Sequence, residues 1–315
     1  EDRLVQIILT LAKHMRRVLI VCFLLVMISF TGTSGVSAKA PEDTDAGPLF
    51  GGQWAWANNT SSQTTTLSTL PSIAEDYTAT WCTNCVKVEH VLEDLQDEGT
   101  IQKYHFHRAN DHEDPFGSTN TEQHFEERYS AGAPPIVVFN GTQKQIGSSP
   151  NGDSLTDDYR SLISQSLDLG DGNTTFSWTS QDGKEGMASW AVELGSVQLA
   201  AIGETHELSV NAWFVEASAE FSEGSNGEEI YPSIVSKIIK LGTDTTGTAT
   251  ISIPETYDGN DMQVHLMYHL IPIEIDEDNG VDDVEEKDDS SALPSISIIA
   301  SLACIVVAAT LVKKK

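Results

Sequence analysis

The 315 residues carry 47 acidic against 18 basic side chains, a formal net charge of −29, with 39% hydrophobic and 21% charged residues. Such a composition is globular, the length accommodates two ordinary domains plus flanking segments, and the acidity excludes nucleic acid and other polyanions as partners. Between residues 39 and 312 the imbalance sharpens to 11 basic against 45 acidic residues, about −34, which reads as a solvation adaptation and not as a binding device.

The chain begins with two regions of different kinds. Met15-Arg16-Arg17, an apolar run over residues 18–30 and small residues through Val36-Ser37-Ala38 follow the charged, apolar, cleavable order of a signal peptide, so residues 1–38 are expected to be an upstream extension and leader cut after Ala38. Residues 39–67 are rich in Thr, Ser, Asn, Gly and Asp, with Trp54 and Trp56 standing out; a flexible lead-in segment is expected there.

From residue 68 to 168 strands and helices alternate. Strand patterns cover 72–78 and 102–108, and between them residues 84–95 place Val88, Val91, Leu92 and Leu95 at helical spacing. A polar, turn-rich stretch over 109–120 leads to a helix over 122–129. Pro134-Pro135, the apolar run 136–139 and Asn140-Gly141 then predict a strand and a hairpin into 143–146. Ser154-Leu155-Thr156-Asp157 has the form of a capping box, opening a helix with Leu155, Tyr159, Leu162, Ile163 and Leu167 on one side.

Residues 172–274 hold no long helical pattern. Six β-rich stretches, at 174–178, 188–194, 208–215, 234–241, 248–253 and 262–273, are separated by turn signals such as Asp182-Gly183 and Asp258-Gly259-Asn260, which predicts an all-β sandwich of the immunoglobulin-like kind. Residues 275–292 form an acidic run almost free of bulky apolar residues, expected to be an extended stalk. Residues 293–312 are apolar over one membrane thickness and precede Lys313-Lys314-Lys315, which predicts a single transmembrane helix, a cytoplasmic lysine tail and an extracytoplasmic body.

Cys22 lies in the leader and Cys304 in the membrane segment, which leaves the body with Cys82 and Cys85 alone. Disulfide frameworks use several pairs at longer spacings, so a lone CxxC between a strand and a helix points to redox chemistry. The helix N-terminus stabilises a thiolate and lowers its pKa, making Cys82 the nucleophile and Cys85, one turn on, the resolving thiol. A zinc half-site would want two further ligands, and no second pair exists; a static disulfide is the other alternative.

Glu75-Asp76-Tyr77-Thr78-Ala79-Thr80-Trp81-Cys82-Thr83-Asn84-Cys85 resembles the strand, tryptophan and active-site loop of the thioredoxin superfamily, and Ala133-Pro134-Pro135-Ile136-Val137-Val138-Phe139 with Asn140-Gly141 resembles its cis-proline loop and hairpin. The resemblance covers residues 68–168. It implies a thioredoxin-like α/β domain in which Pro134 is the cis-proline, Ala133 offers backbone hydrogen bonds to a partner chain, Trp81 borders the cysteines, and Asp76 is the buried acid that moves the resolving thiol's proton. Thr83-Asn84 and Val86 depart from typical members, and Pro135 stands where many have Thr, which leaves open which proline is cis. A looser likeness joins the chain to exported prokaryotic thioredoxin-like proteins with an insertion, here Asp114-Pro115-Phe116, and a trailing β domain.

His105 and His107 alternate on a strand, with His112 beyond, and are read as an exposed polar strand end; His265 and His269 are read as a solvated sheet face, and His90 as a surface residue. No metal and no cofactor are expected. The functional expectation is a membrane-anchored extracytoplasmic thiol–disulfide oxidoreductase acting on protein thiols or disulfides, with its redox partner unidentified. The alternative is a cell-surface binding protein in which Cys82–Cys85 is a structural bridge.

Overall fold

The computed structural model describes residues 39–130, 132–165 and 167–273. The leader, stalk, transmembrane helix and lysine tail expected at the two ends lie outside the described residues. Among the described residues no helix is long and apolar enough to cross a membrane.

In chain order the elements are β1 (Glu42–Asp43), β2 (Leu49–Trp56), β3 (Ser61–Thr66), β4 (Ser72–Thr78), α1 (Thr83–Asp97), β5 (Ile101–His107), α2 (Thr119–Tyr129), β6 (Ile136–Phe139), β7 (Gln143–Ile146), α3 (Leu155–Ile163), β8 (Asn173–Gln181), β9 (Glu185–Val192), α4 (Ser196–Ala201), β10 (His206–Glu220), β11 (Ile230–Gly242), β12 (Thr246–Ser252) and β13 (Met262–Pro272). They build a mixed α/β region and an antiparallel β region. A nine-stranded sheet runs β1-β7-β6-β4-β5-β11-β10-β13-β2, and a four-stranded antiparallel sheet runs β12-β9-β8-β3.

β4 is the central strand of the α/β region, parallel to β5 and antiparallel to β6. Its side chains alternate between two covered faces, as a strand buried on both sides requires. Ala74 joins the core beneath α1 and α3, with Val88, Leu92, Leu95, Val137, Phe139 and Tyr159. Ile73 and Tyr77 join the opposite core with Phe125 and Tyr129 of α2. Ser118 caps α2 by accepting the Thr121 N–H, and Ser154 caps α3 by accepting the Asp157 N–H. The strand, cysteine loop, helix, proline loop and hairpin follow one another as the resemblance implies.

The sandwich lies between β11-β10-β13-β2 and the four-stranded sheet, around a core that includes Phe176, Trp178, Trp190, Phe214 and Tyr268. β10 is buried on both faces. Leu208, Val210, Ala212 and Phe214 point into the sandwich, whereas Trp213 and Val215 point into the core shared with Tyr77, Tyr104 and Phe106 of the α/β region.

Two expectations are corrected. The lead-in segment, expected to be flexible, is built of paired strands: β2 pairs with β13 from Trp56↔Gln263 to Leu49↔His269, β3 pairs with β8, and β1 borders β7. Hydrogen bonds take the place of apolar contact on β3, where Ser62 meets Ser177 at 2.7 Å and Thr64 meets Thr175 at 2.9 Å. Gly52 is the extra residue of the bulge in β2, and at Gly51 beside it, with φ +126°, a Cβ would lie 2.4 Å from the Leu266 carbonyl oxygen. Nor does a boundary near residue 170 separate two bodies, because β11 lies parallel to β5 at Ile234↔His105 and the described residues form one compact unit. The α/β region is inserted between strands of the sandwich.

Candidate functional site

Cys82 and Cys85 form a disulfide at the start of α1, with Cys82 in the N-cap position and the Cys85 N–H donating to the Cys82 carbonyl at 3.0 Å. Cys82 retains 5% of its surface and Cys85 none. Ala79 and Trp81 pack against the pair.

The segment before the disulfide is tied down residue by residue. Thr80 donates its N–H to Asp114 Oδ2 at 2.9 Å and its hydroxyl to the Glu113 carbonyl at 2.7 Å. Trp81 Nε1 donates to Asp111 Oδ2 at 2.7 Å, and the Arg108 guanidinium lies 5.9 Å from the Trp81 ring. The insertion recognised around Asp114-Pro115-Phe116 is therefore the wall that carries Trp81.

Asp76 is fully buried on β4. Its neighbour in register, His105 on β5, places Nδ1 2.9 Å from Asp76 Oδ2, while Asp76 Oδ1 and His105 Nε2 have no hydrogen-bond partner among the described residues. Burial pushes the Asp76 carboxyl up to about 7 against the pull of the His107 and Lys103 charges. Burial lowers the His105 imidazolium to about 3, so His105 is neutral and its Nδ1–H donates when Asp76 is ionised. Lys103, on the same face of β5, is lowered by burial to about 8 and pairs with Glu93. Glu89 of α1 accepts the Thr78 hydroxyl, and burial raises its carboxyl as well. Asp76 thus belongs to a buried polar group, on the strand that leads to the disulfide, that can hold or release one proton near neutrality.

Asp76, Glu89 and His105 bring three possible ligand atoms within 4.8 Å of one another. The Lys103 charge that acts on Asp76 and His105 opposes a cation there, and both carboxyls are shifted toward their protonated forms.

The proline loop decides which of the two prolines is cis. The cis bond joins Pro134 to Pro135, so Pro135 and not Pro134 is the cis-proline. Pro135 immediately precedes Ile136, the register partner of Tyr77, and so lies at the end of β4 from which the chain runs to Cys82. Pro134, directly before it, has no N–H and can offer a partner chain only its carbonyl; Ala133 lies one residue further out and is exposed.

The histidine expectations are also corrected. His105 and His107 are buried, each bonded to an aspartate, with His107 Nδ1 2.8 Å from Asp114 Oδ2. His265 and His269 are buried too: His265 lies between the Tyr104 hydroxyl at 3.0 Å and Gln263, and His269 Nε2 donates to the Ala46 carbonyl at 2.6 Å. β11 covers the edge of β5, and β2 covers β13. His90 is exposed on α1. Sequence reasoning missed Glu89, Lys103 and Thr80. The signal for Lys103 was its place at alternate positions with His105 and His107, one polar face of a strand whose other face holds Tyr104 and Phe106.

No protein-family model matches the chain, and no curated protein matches it. Among solved structures it is similar to HBP35 of Porphyromonas gingivalis, at 15% identity over 71% of this chain and 80% of that one with a TM-score of 0.46. It is also similar to a structural-genomics target protein from Agrobacterium tumefaciens, at 15% identity over 58% of this chain and 78% of that one with a TM-score of 0.37. At such identities and TM-scores neither likeness decides what the site does.

Proposed function

We propose that this chain is a membrane-anchored, extracytoplasmic thiol–disulfide oxidoreductase of the thioredoxin-like kind, exchanging disulfides with exported proteins through Cys82 and Cys85. The observation that carries the reading is the Cys82–Cys85 bridge at a helix N-terminus, together with a buried Asp76 carboxyl held near neutrality on the strand leading to it.

In the reducing direction the Cys82 thiolate attacks one sulfur of a substrate disulfide, and the other sulfur leaves as a thiolate. Asp76 accepts the proton of the Cys85 thiol. The Cys85 thiolate then attacks Cys82 sulfur, closing the Cys82–Cys85 bridge and releasing the second substrate thiolate, so two electrons pass to the substrate. The reverse sequence oxidises a substrate dithiol. Trp81 and the Pro134 carbonyl border the position of the partner chain. The sandwich, read as immunoglobulin-like, is a platform for that partner, and the stalk and terminal helix tether both to the membrane.

One observation favours a second reading. With 5% and 0% of their surface exposed, the two cysteines are almost enclosed, as in a structural bridge of a surface binding protein. The reduction potential of the full chain separates the two: a value between about −120 and −270 mV with rapid exchange supports the enzyme, whereas one below about −300 mV with slow exchange supports the bridge. Cys82→Ser is expected to abolish dithiol-dependent reduction of a protein disulfide, and full retained activity refutes the assignment.

A further inference from the structure

The redox site has a further wall, and it comes from the sandwich. β10 ends at Glu220 and β11 begins at Ile230; the hairpin between them is closed by the Phe221 N–H donating to the Glu229 carbonyl at 2.9 Å. Its tip reaches the segment that precedes the cysteines. The Asn226 N–H donates to the Thr80 carbonyl at 3.1 Å. Asn226 Oδ1 accepts the Tyr231 hydroxyl at 2.8 Å and the Glu228 N–H at 3.0 Å, and Tyr231 Oη lies 3.5 Å from the Thr80 carbonyl oxygen.

Thr80, Asn226 and Tyr231 are all buried. Every polar atom of Thr80 therefore has a partner, its N–H and hydroxyl on the insertion loop and its carbonyl on the hairpin. Both loops rest on one aromatic cluster, where the Phe116 ring lies 5.2 Å from Tyr231 and 4.9 Å from Tyr257. Gly224 permits this approach, since a Cβ there would lie 2.2 Å from the Tyr231 hydroxyl and 3.1 Å from the Thr80 carbonyl oxygen.

From this geometry we infer that the β10–β11 hairpin is a working part of the redox site, with Asn226 and Tyr231 as positioning residues that hold the Thr80–Cys82 segment against the N-terminus of α1. The inference rests on the proposed exchange reaction. A helix N-terminus stabilises a thiolate only over its first turn, so a sub-ångström loosening of Cys82 in its N-cap position weakens that effect. Holding the carbonyl two residues upstream is a direct way to prevent it. The hairpin also gives the insertion of an α/β region into a sandwich a chemical consequence, because among the described residues the region's own elements leave the Thr80 carbonyl without a donor.

The test uses the full chain with Tyr231→Phe, which removes the hydroxyl and keeps the ring, and Asn226→Ala, which removes the side chain that organises the hairpin tip. Thr174→Val serves as a control in the sandwich core, where it removes hydrogen bonds to Gln53 and Tyr268. For each reduced protein the rate of iodoacetamide alkylation of Cys82 is followed against pH, alongside the rate of insulin disulfide reduction and Tm. The two hairpin variants are expected to move the alkylation midpoint upward by about half a pH unit or more and to slow insulin reduction several-fold, with Thr174→Val lowering Tm alone. Hairpin variants that lose Tm while both redox readouts coincide with wild type overturn the inference. If the wild-type protein itself reduces no disulfide, the exchange reading fails, and the alkylation midpoints still decide whether the hairpin positions Cys82.

Discussion

Replacing Asp76 by asparagine removes a buried carboxyl that the fold holds more readily protonated than ionised. Its folded pKa lies at about 7 against an ordinary 3.8, and at about 1.4 kcal/mol for each pH unit of difference the ionised group costs the oxidised protein roughly 4 kcal/mol. The sign follows from the proton count. An acid whose folded pKa is raised holds its proton longer in the native state, so stability falls as pH rises from about 4 to about 7 and is level above that. The asparagine side chain would be neutral throughout and could still pair with the neutral His105 ring. Asp76→Asn is therefore expected to match wild type near pH 4 and to exceed it by about 3–4 kcal/mol at pH 8. Urea unfolding of the oxidised proteins at pH 4, 6 and 8 reads this directly, since shared titrations cancel in the difference. A difference that does not grow with pH refutes the argument that Asp76 is a proton-holding group.

Two further outcomes follow from the packing. Arg128 Nη1 donates to Glu75 Oε1 at 2.9 Å, and the Tyr129 hydroxyl donates to Oε2 of the same buried carboxylate. Arg128→Met is expected to cost about 3–5 kcal/mol in urea unfolding by leaving that carboxylate without its cation, and the double variant with Glu75→Gln is expected to recover most of the loss. A fragment of residues 68–168 is expected to show no cooperative thermal transition, because Tyr104 and Phe106 share their core with Trp213, Val215, Val235 and Met267 of the sandwich. A sharp calorimetric transition in the fragment would show that the region folds alone.

Much of the molecule was legible in the residues themselves, and the particular elements show why. The strand Ser72–Thr78 and the hairpin strands Ile136–Phe139 and Gln143–Ile146 fall where apolar runs and Asn140-Gly141 predict them, and α3 begins at its Ser154 cap. Each carries a local signal, an apolar run, a turn dipeptide or a cap, even where its pairing partners lie further along the chain. β2 and β3 are not legible in the same way, because a Gly-bearing strand and a Ser-Ser-Gln-Thr-Thr-Thr strand lack the apolar alternation that marks a strand in a sequence. The partners that make them strands, β13 and β8, lie more than 100 residues away. The burial of His105, His107, His265 and His269 is illegible for the same reason, since the strands that cover them lie far along the chain.

What the sequence determined by itself was the chemistry in the chain: a lone pair of cysteines at a strand-to-helix junction, an acid six residues upstream, two prolines before an apolar strand, and an acidic body. Only the tertiary structure decided where that chemistry is enclosed. It placed His105 on Asp76, made Pro135 the cis residue, and brought the tip of a sandwich hairpin to the Thr80 carbonyl. The physical reason is that propensity, capping and turn chemistry act over a few residues, whereas burial of a polar group is tolerable only when a partner arrives from elsewhere in the fold. Such a partner leaves no periodic trace in the segment that receives it.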